Sequence, residues 1–423
     1  MKTTFRALKN PSYRIWATGA AVSNVGTWLQ RTAQDWIVLT MLTAHSAKAV
    51  GIVMALQFGP QAVLLPFTGY AADRFDRRRL LIVTQAIMGT LAGILGVLTL
   101  TGLVQLWHVY VLAGLLGLIT AFDTPARQIF VSDLVPVEEL SNAVALNSAS
   151  FNAARLVGPA VAGVLIALVG SGWAFLLNAA SFFGVLISLT LLRIAPSQSR
   201  ETRPAKSNFA DGFRYISRRP DLMAIMLMFF LIGTFGLNYP IFISTMAVSE
   251  FHKGVGQFGL LTSILAIGSV SGALLSAGRP TPRLRHLLIG SACFGLGSTI
   301  AAIMPNYWTF GAALIMIGVS AQTFSTSANG LVQMSTESHL KGRVQAIMMA
   351  VFNGGTPLGA PIVGWVADRY GPRWGIMVAA FGGFGAATAM LYYLVKFCHL
   401  RLRVSRGRWR VENERADGRS GAD

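Results

Sequence analysis

Cysteine is almost missing from this chain of 423 residues: Cys293 and Cys398 stand far apart, with no CxxC pair. That excludes a disulfide framework and a thiolate metal site. The six histidines, His45, His108, His252, His286, His339 and His399, are scattered, and neither HExxH nor a carboxylate cluster occurs. A zinc-hydrolase centre is thereby excluded, as is ATP hydrolysis on a P-loop, because GxxxxGK[ST] is missing too. With no catalytic set, no enzyme, metal or cofactor is expected. Charge is scarce: 12% of residues are Asp, Glu, Lys or Arg, against about 25% in typical soluble domains. Within that share 35 Lys and Arg face 17 Asp and Glu, for a net charge of +18. A nucleic-acid groove would gather such charge on one folded face. Here it falls in short clusters between apolar runs, so the partners expected are lipid and a small molecule, with no nucleic acid.

What the chain does have is apolar length. Hydrophobic residues make up 53% of it, and mean hydropathy is +0.55. A helix needs about 20 mainly apolar residues to cross a bilayer, and twelve such spans can be drawn: 14–41, 49–72, 80–102, 105–128, 140–169, 172–193, 222–248, 256–278, 286–304, 307–331, 343–367 and 374–396. This is an all-α polytopic membrane protein. The polar stretch 194–221, rich in Arg, Ser and Pro, divides the spans six and six. The expected organisation is a six-helix bundle over 1–193, a cytoplasmic linker, a second bundle over 222–396, and a basic, disordered cytoplasmic tail over 397–423 with some attraction to anionic lipid. Lys2, Arg6, Lys9 and Arg14 precede the first span, which has no cleavage site and is read as uncleaved. With the N-terminus inside, the inner loops and tails hold 28 of the 35 lysines and arginines. Both termini are therefore expected in the cytoplasm, the membrane being the inner (cytoplasmic) one.

The halves resemble one another. A shift of 201 residues lays Ala145–Trp173 over Ala346–Trp374 with eight of 29 positions identical, among them Asn152/Asn353, Gly158/Gly359, Gly163/Gly364 and Gly170/Gly371. Two related six-span halves are the mark of a rocking transporter with its site between them.

Between spans 2 and 3 the chain reads Gly69-Tyr-Ala-Ala-Asp73-Arg74-Phe75-Asp76-Arg77-Arg78. This resembles motif A of the major facilitator superfamily, with Asp76 where a second glycine is usual, which puts the loop's tight turn in doubt. The resemblance implies a cytoplasmic latch: Gly69 permits close helix approach, and Asp73 faces the positive start of span 11 near Gly342. Arg74, Arg77 and Arg78 complete the latch, and the resemblance brings in Asp123 through Arg77, with Arg127 four residues on. In span 5, Ala154-Arg155-Leu-Val-Gly158-Pro159-Ala-Val-Ala162-Gly163 is similar to motif C of the superfamily's exporters, two of whose glycines are alanines here. Its small residues allow close packing, and Pro159 removes a backbone donor. The run "FDTPARQIFVSDLVP" resembles the branch that holds enterobactin exporters and macrolide-efflux proteins, and the arginine motif of many drug antiporters is missing from span 4.

Ionisable groups inside spans are costly and functional by default. Five occur: Arg31, Asp35, Asp123, Arg127 and Arg155, all in the first half. Asp35, one helical turn from Arg31, is the first candidate for proton coupling, the alternative being a permanent structural ion pair between the two. Arg155 could pair with Asp123 or face an anionic substrate group. Cavity candidates are Asn24, Gln34, Asn152, Asn238, Gln322, Asn329 and Asn353. The reading is a monomeric secondary transporter that exports an amphipathic drug-like or siderophore-like molecule, by proton antiport and alternating access. Solute uptake or lipid movement on the same fold is one alternative, and a non-transporting sensor or assembly partner another.

Overall fold

The computed structural model describes residues 5–192, 209–277, 283–337, 340–397, 400–405 and 408–413. The first bundle contains α1 (Pro11–Thr40), α2 (Ala47–Arg74), α3 (Arg77–Leu100), α4 (Leu106–Leu134), α5 (Val137–Val169) and α6 (Ser171–Leu191). A short helix α7 (Phe209–Ser217) lies in the region read as linker and packs on the second bundle. That bundle contains α8 (Pro220–Leu231), α9 (Tyr239–Thr245), α10 (Val255–Ala277), α11 (Leu284–Ile303), α12 (Tyr307–Ser335), α13 (Lys341–Tyr370) and α14 (Pro372–Phe397). Among the described residues, eleven spans are long and apolar enough to cross a membrane, with α8 and α9 together forming one. The twelfth crossing is α1, 30 residues long, whose hydropathy is lowered by Asn24, Gln30, Arg31, Gln34 and Asp35.

Local signals set the helix ends. Asn10 caps α1, its side chain accepting from the Ser12 and Tyr13 amides, and Pro11 occupies the first helical position. Asn306 caps α12 through the Thr309 amide at 3.0 Å. The repeat pair Gly170 and Gly371 joins α5 to α6 and α13 to α14 at φ +88° and +102°, a backbone region that side chains disfavour. The repeat read from the sequence thus marks equivalent joints in the two bundles.

Two features depart from the sequence reading. Span 7 is not one helix: a π-helical stretch, Ile232–Gly236, leads to a break at Leu237–Asn238 before α9 begins. Pro240 has no amide to offer the Gly236 carbonyl, so the α-helix cannot run through. The tail expected to be disordered carries an antiparallel pair, β1 (Leu400–Ser405) with β2 (Arg408–Asn413). Residues 414–423 lie outside the described residues.

Among the described residues, side chains pack into one shared core, one core in each bundle toward the termini and a small cluster of Met88, Ala92, Ala179 and Phe182 between α3 and α6, and this division positions the site. Away from the termini, Ile37, Val50, Val53, Phe242, Phe258 and Val363 belong to a single cluster that crosses both bundles. Toward the termini the cores part. Tyr13, Trp16, Phe130 and Leu189 form one within the first bundle, and Phe229, Phe324, Val344 and Met348 another within the second.

Candidate functional site: a cleft between the bundles

At the end far from the termini, the bundles meet along two helix pairs, α2 with α13 and α5 with α10. Close approach there depends on small residues. A side chain on Gly51 would strike the backbone of Ala360 and Pro361, and one on Gly364 that of Ala47 and Lys48. Gly163 sits against Val255 and Gly256, and Gly259 against the Pro159 carbonyl. Ser263 donates to the Leu156 carbonyl at 2.8 Å across the same seam, and Trp36 stacks on Phe258, centroids 6.3 Å apart. Three residues of the stretch similar to motif C, Gly158, Pro159 and Gly163, therefore build contacts of α5, with Gly158 against Trp28 of α1.

The same helix faces separate toward the termini. Val157, Val161, Val164 and Leu168 form the exposed outer stripe of α5. Asn152 lies about 140° around the helix from Val157, yet it is exposed, as are Ala145 and Ser148 on that inner face. Further along, on the same face, Pro159, Gly163 and Ile166 are buried. Its repeat partner behaves alike: Asn353 is exposed opposite the Leu358–Ile362–Trp365 stripe, while Ala360, Val363 and Ala367 are buried. The inner faces of α5 and α13 are thus exposed at the termini end and buried further along, which, with the cores parted at that end, marks a cleft between the two bundles that opens toward the termini. Asn152 and Asn353 belong to those exposed faces; among the described residues Asn152 donates to the Ser148 carbonyl of its own helix, at 2.8 Å.

Near the closed end of the cleft the charges of α1 gather. Arg31 lies over the rings of Trp28 and Phe58, at 5.1 and 5.5 Å. Among the described residues it forms no ion pair with Asp35, whose half-buried carboxylate makes no hydrogen bond. The permanent structural pair weighed from the sequence is thus not formed. Order along the helix explains this: acid before base at i,i+4 is the favourable arrangement, and here the base comes first. Cation–π contact with two rings holds Arg31 instead. Arg155 shares a face of α5 with Phe151 and Gly158, both of which touch Trp28. It has no ion-pair partner among the described residues, and its electrostatic neighbour is the Tyr239 hydroxyl of α9. Four buried polar atoms in this region lack a hydrogen-bond partner: Trp28 Nε1, Gln34 Nε2, Asn238 Oδ1 and Tyr239 Oη. Asn238 and Tyr239 stand at the break in span 7, where interrupted helices commonly present polar groups to a transported molecule. The signal for that break, Gly236-Leu-Asn-Tyr-Pro240, was legible in the sequence and went unread.

Asp123 has a different setting from the one expected. Its Oδ1 accepts from Thr84 at 2.8 Å and Gln85 at 2.6 Å, and its Oδ2 accepts from Arg127 at 2.9 and 3.1 Å. With acid before base the i,i+4 pair closes, Asp123 buried against α3 and Arg127 half-buried. Neither Arg77 nor Arg155 reaches Asp123. Arg77 instead binds Asp133, at 2.8 and 3.0 Å. The reason is helix length: α4 runs on to Leu134, which puts Asp133 in its last turn. A carboxylate there opposes the helix dipole and needs a cation.

Arg78 donates to the last carbonyls of α6, Leu189 at 2.8 Å and Thr190 at 3.1 Å. Asp76 accepts from the Arg79 amide at 2.7 Å and caps α3 with φ −58°. The turn therefore requires no glycine, which answers the doubt raised by the motif. Asp76→Ala is expected to cost about 1 kcal/mol and Asp76→Gly only a few tenths, measured by thermal unfolding in detergent. Gly69 lies in α2, and the side chains of Asp73 and Arg74 are outside the described residues.

The remaining cavity candidates divide. Asn24 is half-buried, and Gln322 bonds to Thr326 of its own helix at 3.3 Å. Asn329 accepts from Gln345 at 2.8 Å, tying α12 to α13, so it serves packing rather than an open wall. A buried bond from Asn178 to Gln30, 2.5 Å, joins α6 to α1 and was not anticipated.

Two six-helix bundles around a central cleft, with charged groups on α1 and α5, form a transporter architecture, and the sequence matches the transmembrane secretion effector family over residues 2–419. The chain belongs to that family of major facilitator transporters. It is 26% identical over 387 residues to the staphyloferrin A transporter of Staphylococcus aureus, spanning 90% of this chain and 94% of that protein. The enterobactin exporter of Escherichia coli is 27% identical over 401 residues, 93% of this chain and 94% of its own. Macrolide efflux protein A of Streptococcus pyogenes is 26% identical over 375 residues, 85% of this chain and 90% of its own. Among solved structures, a bacterial homolog of the human lysosomal transporter Spinster superposes with a TM-score of 0.73 at 13% identity, covering 92% of this chain and 97% of that one. At that identity the likeness speaks for the fold alone. The protein is a multi-pass membrane transporter for a small molecule, in a family of transporters rather than enzymes.

Proposed function

We propose that this family member exports an amphipathic small molecule, drug-like or siderophore-like, across the cytoplasmic membrane by alternating access in exchange for protons. The observation that carries the reading is Asp35: a carboxylate within α1 that has no ion-pair or hydrogen-bond partner among the described residues, beside the region where α1 meets α2, α9 and α10. Ionised, Asp35 accepts from a hydroxyl or ammonium of the substrate. Protonated, it loses that capacity, so proton and substrate compete for one group, as antiport requires. Arg31 and Arg155 keep their charge and serve acceptor oxygens of the same molecule. Trp28, Phe58 and Phe151 offer apolar faces beside them. Lysine and arginine placement assigns the open end of the cleft to the cytoplasm, the side from which an exporter loads. The names of the enterobactin and macrolide relatives support the same direction.

The test is loss of preloaded dyes, macrolides and siderophores from cells with and without the protein, each with a protonophore control. Protein-dependent loss that collapses with the proton gradient is expected. Protein-dependent accumulation would reverse the direction proposed, and loss indifferent to the protonophore would remove the proton from the scheme.

A further inference from the structure

The motif between spans 2 and 3 recurs at the opposite end of the molecule. Gly69, Asp73, Arg74 and Arg78 reappear, shifted by 295 residues, as Gly364, Asp368, Arg369 and Arg373. The first set joins α2 to α3 at the termini end, and the second joins α13 to α14 at the far end. The final arginines do the same work. Arg78, in the first turn of α3, donates to the Leu189 carbonyl in the last turn of α6 at 2.8 Å. Arg373, in the first turn of α14, donates to the Ala302 carbonyl in the last turn of α11, also at 2.8 Å, and pairs with Glu250 at 2.8 Å.

The acid at Asp368 does something more. Its carboxylate leaves its own bundle and accepts from the Ala47 amide at 2.6 Å, the Lys48 amide at 3.1 Å and the Ser46 hydroxyl at 2.8 Å. Those groups are the start of α2, whose first amides have no helical acceptor. A carboxylate at the end of its own helix is disfavoured by that helix's dipole and favoured by the start of the next. We infer that Asp368 is a gate residue: it holds the far end of the cleft shut by capping α2, and its release accompanies opening of that end. Because α2 and α13 run side by side in opposite directions, the recurrence makes the pair reciprocal. Asp368 serves the start of α2, and the motif resemblance gives Asp73 the matching part at the start of α13. The rocking of one bundle against the other closes one cap as it opens the other.

Ser263 provides the probe, since it is buried in the α5–α10 seam at the closed end. In a background with Cys293→Ser and Cys398→Ser, Ser263→Cys is labelled by a membrane-impermeant maleimide applied separately to each face of the membrane. Asp368→Asn is expected to raise the rate at the face carrying residue 368 roughly two- to fivefold, as follows from losing the carboxylate's charge at a helix start while its capping oxygen remains. Asp73→Asn is expected to lower it. Ser46→Ala, which removes one of the three bonds together with the hydroxyl's own cap on the Ala49 amide at 3.2 Å, is expected to raise the rate as well and is read in the same way where Asp368→Asn does not accumulate. An unchanged rate in both Asp368→Asn and Ser46→Ala, or a shift of the same sign for the two aspartate variants, would overturn the inference. The readout needs no substrate, so it stands or falls separately from the export reading.

Discussion

Asp35→Asn is expected to cut proton-driven export sharply while leaving the protein folded and in the membrane. The substitution keeps the size of the side chain and removes its capacity to carry a proton. Because Asp35 makes no hydrogen bond among the described residues, nothing in the bundle is left unpaired by the change. A charge inside a membrane helix carries a cost of about 2.5–3.5 kcal/mol on insertion scales, so the variant should unfold no earlier than the wild type and could gain stability. Export should fall by about 5- to 150-fold, the range set by a coupling free energy of about 1–3 kcal/mol. Transport rate under a pH gradient and thermal unfolding of the purified protein, measured on the same preparations, check both halves. Retained proton-driven export would move the coupling group elsewhere. Loss of export together with early unfolding would make Asp35 structural.

Arg127→Met should have the opposite profile. Breaking a buried ion pair by removing one partner costs about 3–5 kcal/mol. The low end of that range applies here, because Thr84 and Gln85 still donate to Asp123. The variant should accumulate poorly and unfold early. Adding Asp123→Asn removes the stranded charge and should restore most of the loss. Membrane abundance and melting of the single and double variants decide the matter. A single variant as stable as wild type, but with altered opening of the cleft, would return Asp123 and Arg127 to the gate where motif resemblance had placed them.

Apolar length marks eleven of the crossings, α1 being diluted by its polar residues, and the repeat offset pairs Gly170 with Gly371 and Asn152 with Asn353 at structurally equivalent positions. Both signals are local or periodic, and a single chain reports them well. The partners of charged groups were harder to read. Spacing alone made Arg31–Asp35 and Asp123–Arg127 look alike, yet only the pair with the acid first closes. The motif resemblance ties Arg77 to Asp123, whereas α4 runs six residues beyond the span drawn to 128 and brings Asp133 into reach of Arg77 instead. The recurrence of Gly-x-x-x-Asp-Arg at 364 was present in the sequence as well. It passed as a loop after span 11 because its meaning depends on α2 beginning beside it, which is a tertiary fact.

The central claim is exchange of a small molecule for protons through one cleft. Purified protein in liposomes, with a pH-sensitive dye inside and a substrate from the efflux panel added on one face, tests it most directly. Proton movement opposite to substrate, dependent on both the protein and the substrate and lost in Asp35→Asn, is the expected result. Substrate movement with no accompanying proton flux, or proton movement in the same direction as substrate, would contradict it.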